Sequence, residues 1–250
     1  MQRTIFDPDH QIFRETVEHF VATQIVPNHA RWSAAGKIDK EMFRAAGQQG
    51  LLGMAIPDQY GGAGIDDFRY NTVINEVITA SGAAASGLCI TLHNDICIPY
   101  FLAYGTMEQR ARWLPGLTSG DLMTAIAMTE PGTGSDLAGI ATSAIRDGND
   151  YLINGSKTFI TNGINADLVI VVARTEPDPR GGLTLFVVED GSPGFERGRN
   201  LDKMGMHAQD TSELFFSDVR VPVENRLGPE GAGFMQLVAR SDEHTSELQS

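Results

Sequence analysis

Near Asp121 of this 250-residue chain the spacing of apolar residues changes from a helical to a strand-like period, and this change constrains the fold more than any other feature. Before Asp121, apolar side chains recur every three or four residues, the period of a helix with one buried face. After it, short apolar runs alternate with gaps rich in Gly, Pro, Asp and Asn, which is typical of strands and turns. The sequence predicts an α+β chain: an N-terminal all-helical domain over residues 1–120, a small antiparallel β-sandwich or barrel over 121–228, and further helix over 229–250.

Five helices are predicted before Asp121. Asp7-Pro8 begins the first, because it supplies a capping side chain followed by proline at the first helical position, and Pro27 ends it. The capping box Thr106-Met107-Glu108-Gln109 begins the fifth, which Pro115 ends. The other predicted starts are Asp39, Asp66 or Asp67, and Ala84, the last of which begins an apolar and therefore buried helix reaching about Leu102.

The middle segment contains a predicted β-hairpin. The strand-like runs Tyr151-Leu152-Ile153 and Lys157-Thr158-Phe159-Ile160-Thr161 flank Asn154-Gly155, a pair that favours a type I′ turn. Further strand-like runs cover residues 168–173, 183–188 and 213–216. Because no helical pattern separates these runs, they favour an antiparallel sandwich or barrel over a parallel sheet.

The charge and the cysteine content exclude several classes of protein. The chain has 19 basic and 32 acidic residues, a formal net charge of −13, which argues against binding nucleic acid or an anionic membrane surface. No apolar run approaches the roughly 18 residues of a membrane helix, and the N-terminus shows no signal or transit pattern. Two cysteines cannot form a disulfide framework. We therefore expect a cytoplasmic protein without nucleic-acid or membrane partners.

A glycine-containing loop is the first candidate binding segment. The apolar run Ala125-Ile126-Ala127-Met128 leads into Thr129-Glu130-Pro131-Gly132-Thr133-Gly134-Ser135-Asp136. Glycine lets a ligand lie against the backbone, and the hydroxyl groups add donors at close range. A flat heteroaromatic cofactor would lie across the Met128-Thr129 backbone, with Thr129 hydrogen-bonded to its edge. Composition alone favours an ordinary strand-to-strand loop.

The run Lys157-Thr158-Phe159-Ile160-Thr161-Asn162-Gly163 is the second candidate. Phe159 can pack on a planar ring, and Thr161 can donate a hydrogen bond beside it. Taken alone, the alternating side chains of a hairpin explain this segment better.

Three other patterns are assigned to structure. Gly61-Gly62-Ala63-Gly64 does not match a dinucleotide-binding fingerprint and is interpreted as a turn. Cys89, His93 and Cys97 are spaced four residues apart, so the outer two lie about 12 Å apart along a helix, too far for one tetrahedral metal ion. No metal site is predicted, and no nucleophile elbow is present.

Several ordered motifs together resemble the acyl-CoA dehydrogenase family. The similarity is collinear from about Phe6 to about Val238, and the Thr-Glu-Pro-Gly-x-Gly-Ser-Asp block is its most specific part. The run from Gln209 to Phe216 resembles the long-chain-type members. The motifs are Pro57-Asp58-Gln59-Tyr60-Gly61-Gly62, Leu92-His93-Asn94-Asp95, Met128 to Asp136, Gly155 to Gly163, and Lys203-Met204-Gly205 through Phe215-Phe216.

The resemblance implies an FAD-dependent enzyme of fatty acid β-oxidation that dehydrogenates acyl-CoA thioesters between Cα and Cβ. It also implies an electron-transfer flavoprotein as acceptor, a homotetrameric full-length protein, and a flavin ring between the β domain and a C-terminal four-helix domain. Ser135 is expected to contact the CoA portion of the substrate as well. The residues implied to contact FAD are Ile126, Met128, Thr129, Gly134, Ser135, Phe159, Ile160 and Thr161.

The same resemblance leaves the catalytic base unassigned. The family's base is a Glu of the C-terminal helical domain, and continuing the similarity past Val238 puts His244 and Thr245 where long-chain relatives have Glu-Arg. From about Arg240 the sequence departs from the family pattern. We therefore expect a C-terminally truncated chain with a non-native tail, without the base and inactive and poorly soluble by itself.

Three alternatives remain open. A flavin oxidase or monooxygenase of the same superfamily would share this half-site. A non-catalytic acyl-CoA-binding fragment would bind the thioester without bleaching a flavin. A hydrolase would use Ser135 and lose thioester cleavage on Ser135→Ala.

Overall fold

The structure, a computed structural model, describes residues 4–178 and 181–246, with side chains up to Arg240. It divides into two compact units, each with its own hydrophobic core. The first unit contains the chain up to Ile98, together with Ala111–Met123 and Asp202–Asp210. The second contains Pro99–Arg110, Thr124–Leu201 and the chain from Thr211 onward.

Helices form most of the first unit, as the sequence predicts. Helix α3 begins directly after Asp39, and α4 begins two residues after Asp67. The division between the units falls within α6 and α7. The α-helices are α1 (Pro8–Phe20), α2 (His29–Ala35), α3 (Lys40–Gln48), α4 (Arg69–Ala80), α5 (Ala84–Thr91), α6 (Ile98–Tyr104), α7 (Met107–Ser119) and α8 (Gly233–Ser246).

Pro27 and Pro115 do not end helices, so both predicted helix ends are wrong. After α1 the chain continues through a π-helical turn, Val21–Ile25, and a 3-10 turn, Val26–Asn28, into α2. Pro27 lies at the beginning of that 3-10 turn, where its missing N–H costs nothing. Pro115 lies inside α7. The burial of its neighbours Trp113, Leu114 and Leu117 stabilises the helix despite the lost backbone hydrogen bond.

The predicted helix starts at Asp7 and Thr106 are confirmed by reciprocal capping. Asp7 accepts a hydrogen bond from the backbone N–H of His10, and the His10 side chain bonds back to the Asp7 N–H. The Gln109 N–H donates to Thr106 Oγ1 (3.2 Å), and the Thr106 N–H donates to Gln109 Oε1 (2.9 Å). Each pair satisfies two N–H groups that a helix terminus otherwise leaves without partners. No helix in the described ranges is long and apolar enough to cross a membrane.

Among the described residues of the second unit, one sheet of eight strands dominates. Its order is β6-β7-β3-β2-β4-β5-β8, and β1 pairs with β4 outside this path. Most neighbours are antiparallel, as predicted, but β1 and β2 both run parallel to β4, so the sheet is mixed. The strands are β1 (Thr124–Ala127), β2 (Ser143–Asp147), β3 (Asp150–Thr161), β4 (Leu168–Arg174), β5 (Leu183–Glu189), β6 (Phe195–Asn200), β7 (Thr211–Pro222) and β8 (Arg226–Leu227).

The predicted hairpin turn at Asn154-Gly155 is wrong, because both residues lie inside the continuous strand β3. The turn lies instead between β2 and β3, which pair from Asp147 and Asp150 outward. The Asn154 side chain exchanges two hydrogen bonds with Asp218, which adopts a positive φ of 50° where β7 bulges. A residue pair typical of tight turns thus supports an irregularity in the neighbouring strand.

Gly155 is required by close contact rather than by a turn, and we expect Gly155→Ala to destabilise the chain by about 2 kcal/mol. Its φ is 150°, and an added Cβ would lie 2.5 Å from Thr142 Oγ1 and 2.8 Å from Thr142 Cα. Urea denaturation monitored by circular dichroism measures the loss. Gly205→Ala is the control, because a Cβ there meets no atom within 4 Å. Equal stability of the two variants would contradict the assignment.

Candidate functional site

The first candidate segment is a closed loop at the end of β1. The N–H of Glu130 donates to the carbonyl oxygen of Thr133 (2.9 Å), and the N–H of Thr133 donates back to the carbonyl oxygen of Glu130 (3.1 Å). The Thr133 hydroxyl also donates to the carbonyl oxygen of Asp136. A Cβ added at Gly132 or Gly134 would meet no atom within 4 Å. The loop is therefore held by its own hydrogen bonds and presents open backbone at its glycines.

The second candidate segment contains a β-bulge that turns Phe159 outward. Between Lys157 and Ile160, β3 has one residue more than its partner β7. Lys157 and Thr158 are consequently both buried, and Phe159 is 67% exposed with a positive φ of 59°. In a regular strand of the same sequence, without a bulge, residue 159 would point to the same side of the sheet as Lys157. A strained backbone that exposes an aromatic ring indicates a binding site.

One hydrogen bond joins the two candidate segments directly. The N–H of Thr158, on β3, donates to the carbonyl oxygen of Thr129, which follows β1 (2.9 Å). The Thr129 backbone is therefore bonded to the residue that directly precedes the exposed Phe159. Within the described residues, the hydroxyls of Thr129, Ser135 and Thr161 make no recorded hydrogen bond, so they are available to a ligand.

Beneath this surface lies a buried ion pair. Lys157 is fully buried, and its Nζ donates to Glu130 Oε1 (2.8 Å) and to the carbonyl oxygen of Met128 (3.0 Å). The Glu130 carboxylate also accepts the N–H groups of Ala141 (2.8 Å) and Thr142 (2.9 Å). Burial lowers the pKa of Lys157 to about 8 although Glu130 opposes this shift. Burial raises the pKa of Glu130, but the hydrogen bonds from Lys157, Thr142 and Ala141 prevail and lower it.

The eight residues assigned to the cofactor differ in their exposure. The side chain of Ile160 is buried in the sheet core, so only its backbone is available to a ligand. Gly134, Ser135 and Phe159 are exposed, whereas Ile126, Met128, Thr129 and Thr161 are half-buried. All eight belong to the second unit.

Two buried charged residues beneath the candidate site, Glu130 and Lys157, were not singled out from the sequence. They are 27 residues apart, and no local pattern shows that they meet. The available indication was a lysine at an inward-facing position of a strand-like run, where an apolar residue is expected. Asn162 was missed as well: it has a positive φ of 62°, and its buried amide donates to the carbonyl oxygen of Thr124 (3.0 Å).

The cysteine and histidine pattern of the first unit is structural. His93 is buried, with Nε2 3.0 Å from the carbonyl oxygen of Leu117, and burial lowers the pKa of its imidazole to about 4. Cys89 is also buried, which raises the pKa of its thiol to about 12. The Cys89 thiol therefore stays protonated near neutral pH, and both side chains are fully buried in the described structure.

Comparison with known families accounts for both units. Residues 7–121 match the model of the acyl-CoA dehydrogenase N-terminal domain, and residues 125–219 match that of the acyl-CoA dehydrogenase middle domain. The chain belongs to the acyl-CoA dehydrogenase family. Both candidate segments lie within the part that matches the middle domain of this family.

Individual acyl-CoA dehydrogenases show how much of the chain is shared. The mitochondrial long-chain specific acyl-CoA dehydrogenase of Mus musculus is 48% identical over 94% of this chain and 55% of its own length. The crystal structure of an acyl-CoA dehydrogenase from Geobacillus kaustophilus has a TM-score of 0.92 at 46% identity, covering 96% of this chain and 63% of that chain. The predicted fold, helical and then β, is confirmed.

A further acyl-CoA dehydrogenase structure, from Bacillus anthracis, is complexed with FAD. It has a TM-score of 0.87 at 29% identity and covers 96% of this chain and 41% of that chain. The chain spans about half the length of the curated relatives it matches. The mouse relative is mitochondrial by name, and a cytoplasmic location for this chain stays a prediction.

Proposed function

We propose that this chain is the flavin-binding part of an FAD-dependent acyl-CoA dehydrogenase, which oxidises an acyl-CoA thioester between Cα and Cβ. The observation that carries the proposal is the Thr158 N–H to Thr129 carbonyl hydrogen bond, because it brings the glycine-containing loop next to the exposed Phe159 ring. A fatty acyl-CoA as substrate, an electron-transfer flavoprotein as acceptor and a homotetrameric full-length protein belong to the same proposal.

The residues present fit FAD. A flat ring can pack on Phe159, with the Thr129 and Thr161 hydroxyls at its edge. The open backbone at Gly134 and the exposed hydroxyl of Ser135 suit the more polar part of the cofactor and the CoA portion of the substrate. When bound, FAD supplies the acceptor for the hydride that leaves Cβ.

In this proposal the chain's residues bind and orient, while the proton at Cα is taken by a base elsewhere. The Glu130 carboxylate, although close to the site, is held by Lys157 and by two backbone N–H groups, which stabilise its charged form and keep its pKa low. A base that works near neutral pH needs a raised pKa instead. Glu130 is therefore unsuited to this role, and we place the base where the family resemblance implies it, in the C-terminal helical domain of the full-length protein.

Equilibrium titration of the chain with FAD, followed by flavin fluorescence, tests the proposal. We expect weak but saturable binding that is lost during gel filtration, because the chain supplies only part of the site, and no turnover of acyl-CoA. An absence of FAD binding would contradict the proposal. Binding of CoA thioesters without FAD would support the non-catalytic alternative instead, and turnover by the isolated chain would contradict the placement of the base.

Gly134→Ala is expected to raise the dissociation constant for FAD by about tenfold, or ~1.4 kcal/mol, because the added methyl group lies where the ligand approaches the backbone. The melting temperature should not change, since a Cβ at Gly134 meets no protein atom within 4 Å. The measurements are FAD titration and thermal denaturation. Gly205→Ala, in similarly open space and outside both candidate segments, should leave both quantities unchanged. Unchanged FAD affinity in Gly134→Ala would show that the ligand does not approach this loop.

A further inference from the structure

We propose that Lys157 and Glu130 are positioning residues. Their buried ion pair holds the two ends of the loop from Glu130 to Thr142, here termed the 130–142 loop, so that the tip of this loop meets the flavin. The inference deepens the proposed function and rests on it. It assigns a role to two residues that do not themselves face the ligand surface.

The pair connects three separate pieces of backbone: β3, residues 128–130 and residues 141–142. Lys157 lies on β3, and its ammonium group reaches the end of β1 through the carbonyl oxygen of Met128 and the start of the loop through Glu130. The Glu130 carboxylate then reaches the far end of the same loop through the N–H groups of Ala141 and Thr142. Both ends of the loop are thus tied to β3 at one buried point.

A second cation holds the far end of the loop from outside. The Arg174 guanidinium, on β4, donates to the carbonyl oxygens of Ala138 (2.8 Å) and Ile140 (2.9 Å). The Arg174 backbone N–H donates to the carbonyl oxygen of Thr142 (2.7 Å). These contacts leave Gly134 and Ser135 at the exposed tip. The two ends of the loop are therefore fixed, while its tip is accessible to a ligand.

The contact geometry explains why an ion pair occupies this place. A buried pair is weak evidence for stability, since removing two charges from water offsets much of their attraction. Its hydrogen bonds are directional, however, and all of them end on the backbone or on the partner charge. An apolar pair of equal volume could fill the space but could not fix Met128, Ala141 and Thr142 in position. The same strand carries Phe159 two residues beyond Lys157, so the pair also sets the loop against the exposed ring.

The experiment compares three variants with a matched control. Lys157→Met removes the cation, Glu130→Gln keeps one carbonyl acceptor, and the double variant leaves no lone buried charge. Tyr151→Phe is the control: Tyr151 is buried on the same strand, and its hydroxyl donates to Glu230 Oε2 (2.7 Å), away from the loop. For each protein, FAD titration gives the dissociation constant, urea denaturation gives stability, and amide hydrogen exchange follows Ala141 and Thr142.

We expect Lys157→Met to raise the dissociation constant for FAD by about tenfold to a hundredfold, since small misplacements of a binding group have effects of this size. The double variant should regain stability relative to Lys157→Met without regaining FAD affinity. Exchange at Ala141 and Thr142 should accelerate in the loop variants and not in Tyr151→Phe.

Two results would overturn the inference alone: FAD affinity equal to that of wild type in all variants, or affinity that recovers together with stability in the double variant. Absence of FAD binding by the wild-type chain would instead overturn the proposed function, and the inference with it. The three outcomes are distinguishable within one set of titrations.

Discussion

Lys157→Met is expected to lower the free energy of unfolding by about 3–5 kcal/mol, the usual cost of removing one partner of a buried ion pair. The loss arises because Glu130, only 7% exposed, would keep its charge with two backbone N–H groups but without a counter-ion. Urea denaturation at neutral pH, followed by circular dichroism, measures it. Tyr151→Phe, which removes one neutral hydroxyl on the same strand, should lose about 1 kcal/mol. A loss in Lys157→Met no larger than that of the control would show that the pair is not a buried, coupled unit.

The pH dependence of this stability has a definite sign. Burial lowers the pKa of Lys157 in the folded chain to about 8, from 10.5. Between these two values the unfolded chain binds more protons than the folded one, so this group makes stability rise as the pH rises. The contribution is complete above about 10.5 and is lost as the pH falls through about 8. The Lys157→Met variant has no titrating amine at this position and therefore lacks this pH-dependent contribution. The difference in the free energy of unfolding between wild type and variant should therefore grow from pH 8 to pH 10.

Acidification is expected to destabilise the chain through His93 by about 3 kcal/mol, the free energy that corresponds to lowering a pKa from 6.5 to about 4. Burial disfavours the charged imidazole, while the Leu117 carbonyl oxygen partly opposes this effect. Because the folded state resists protonation, the contribution is present above pH 6.5 and is lost as the pH falls towards 4. Urea denaturation at pH 7.5 and pH 4.5 measures the difference.

His93→Gln provides the comparison for this effect, because an amide does not titrate and can still donate to the Leu117 carbonyl oxygen. We expect the variant to lose less stability than wild type over the same pH range. An identical loss in both proteins would assign the acid sensitivity to other groups.

The sequence predicted that helices precede strands along the chain, but it did not predict every position at which a helix or strand ends. Apolar periodicity distinguishes helix from strand because it records which face is buried, and this holds for α3, α4 and β4. The predicted turn at Asn154-Gly155 is wrong because the pairing of β3 with β7 along their length outweighs the preference of two residues for a turn. The predicted helix end at Pro115 is wrong for a similar reason, since the buried residues of α7 on either side of Pro115 stabilise the helix there.

The candidate site was predicted in its segments but not in its internal support. The glycines, hydroxyls and aromatic ring are visible as residue types, and the hydrogen bond between Thr158 and Thr129 joins the two segments that carry them. The Lys157–Glu130 pair was not visible because it depends on long-range pairing. The outward direction of Phe159 depends on a bulge, and strict alternation would have misplaced either Phe159 or Lys157.

The extra residue between Lys157 and Ile160 also limits how this region can diverge. Deleting one residue there would restore simple alternation and leave Lys157 and Ile160 on the inner side, but it would remove either Thr158, whose N–H donates to the Thr129 carbonyl oxygen, or Phe159 itself. Natural or engineered variation of ligand preference in this strand should therefore proceed by replacing side chains, and changes of length should be confined to the connecting segments.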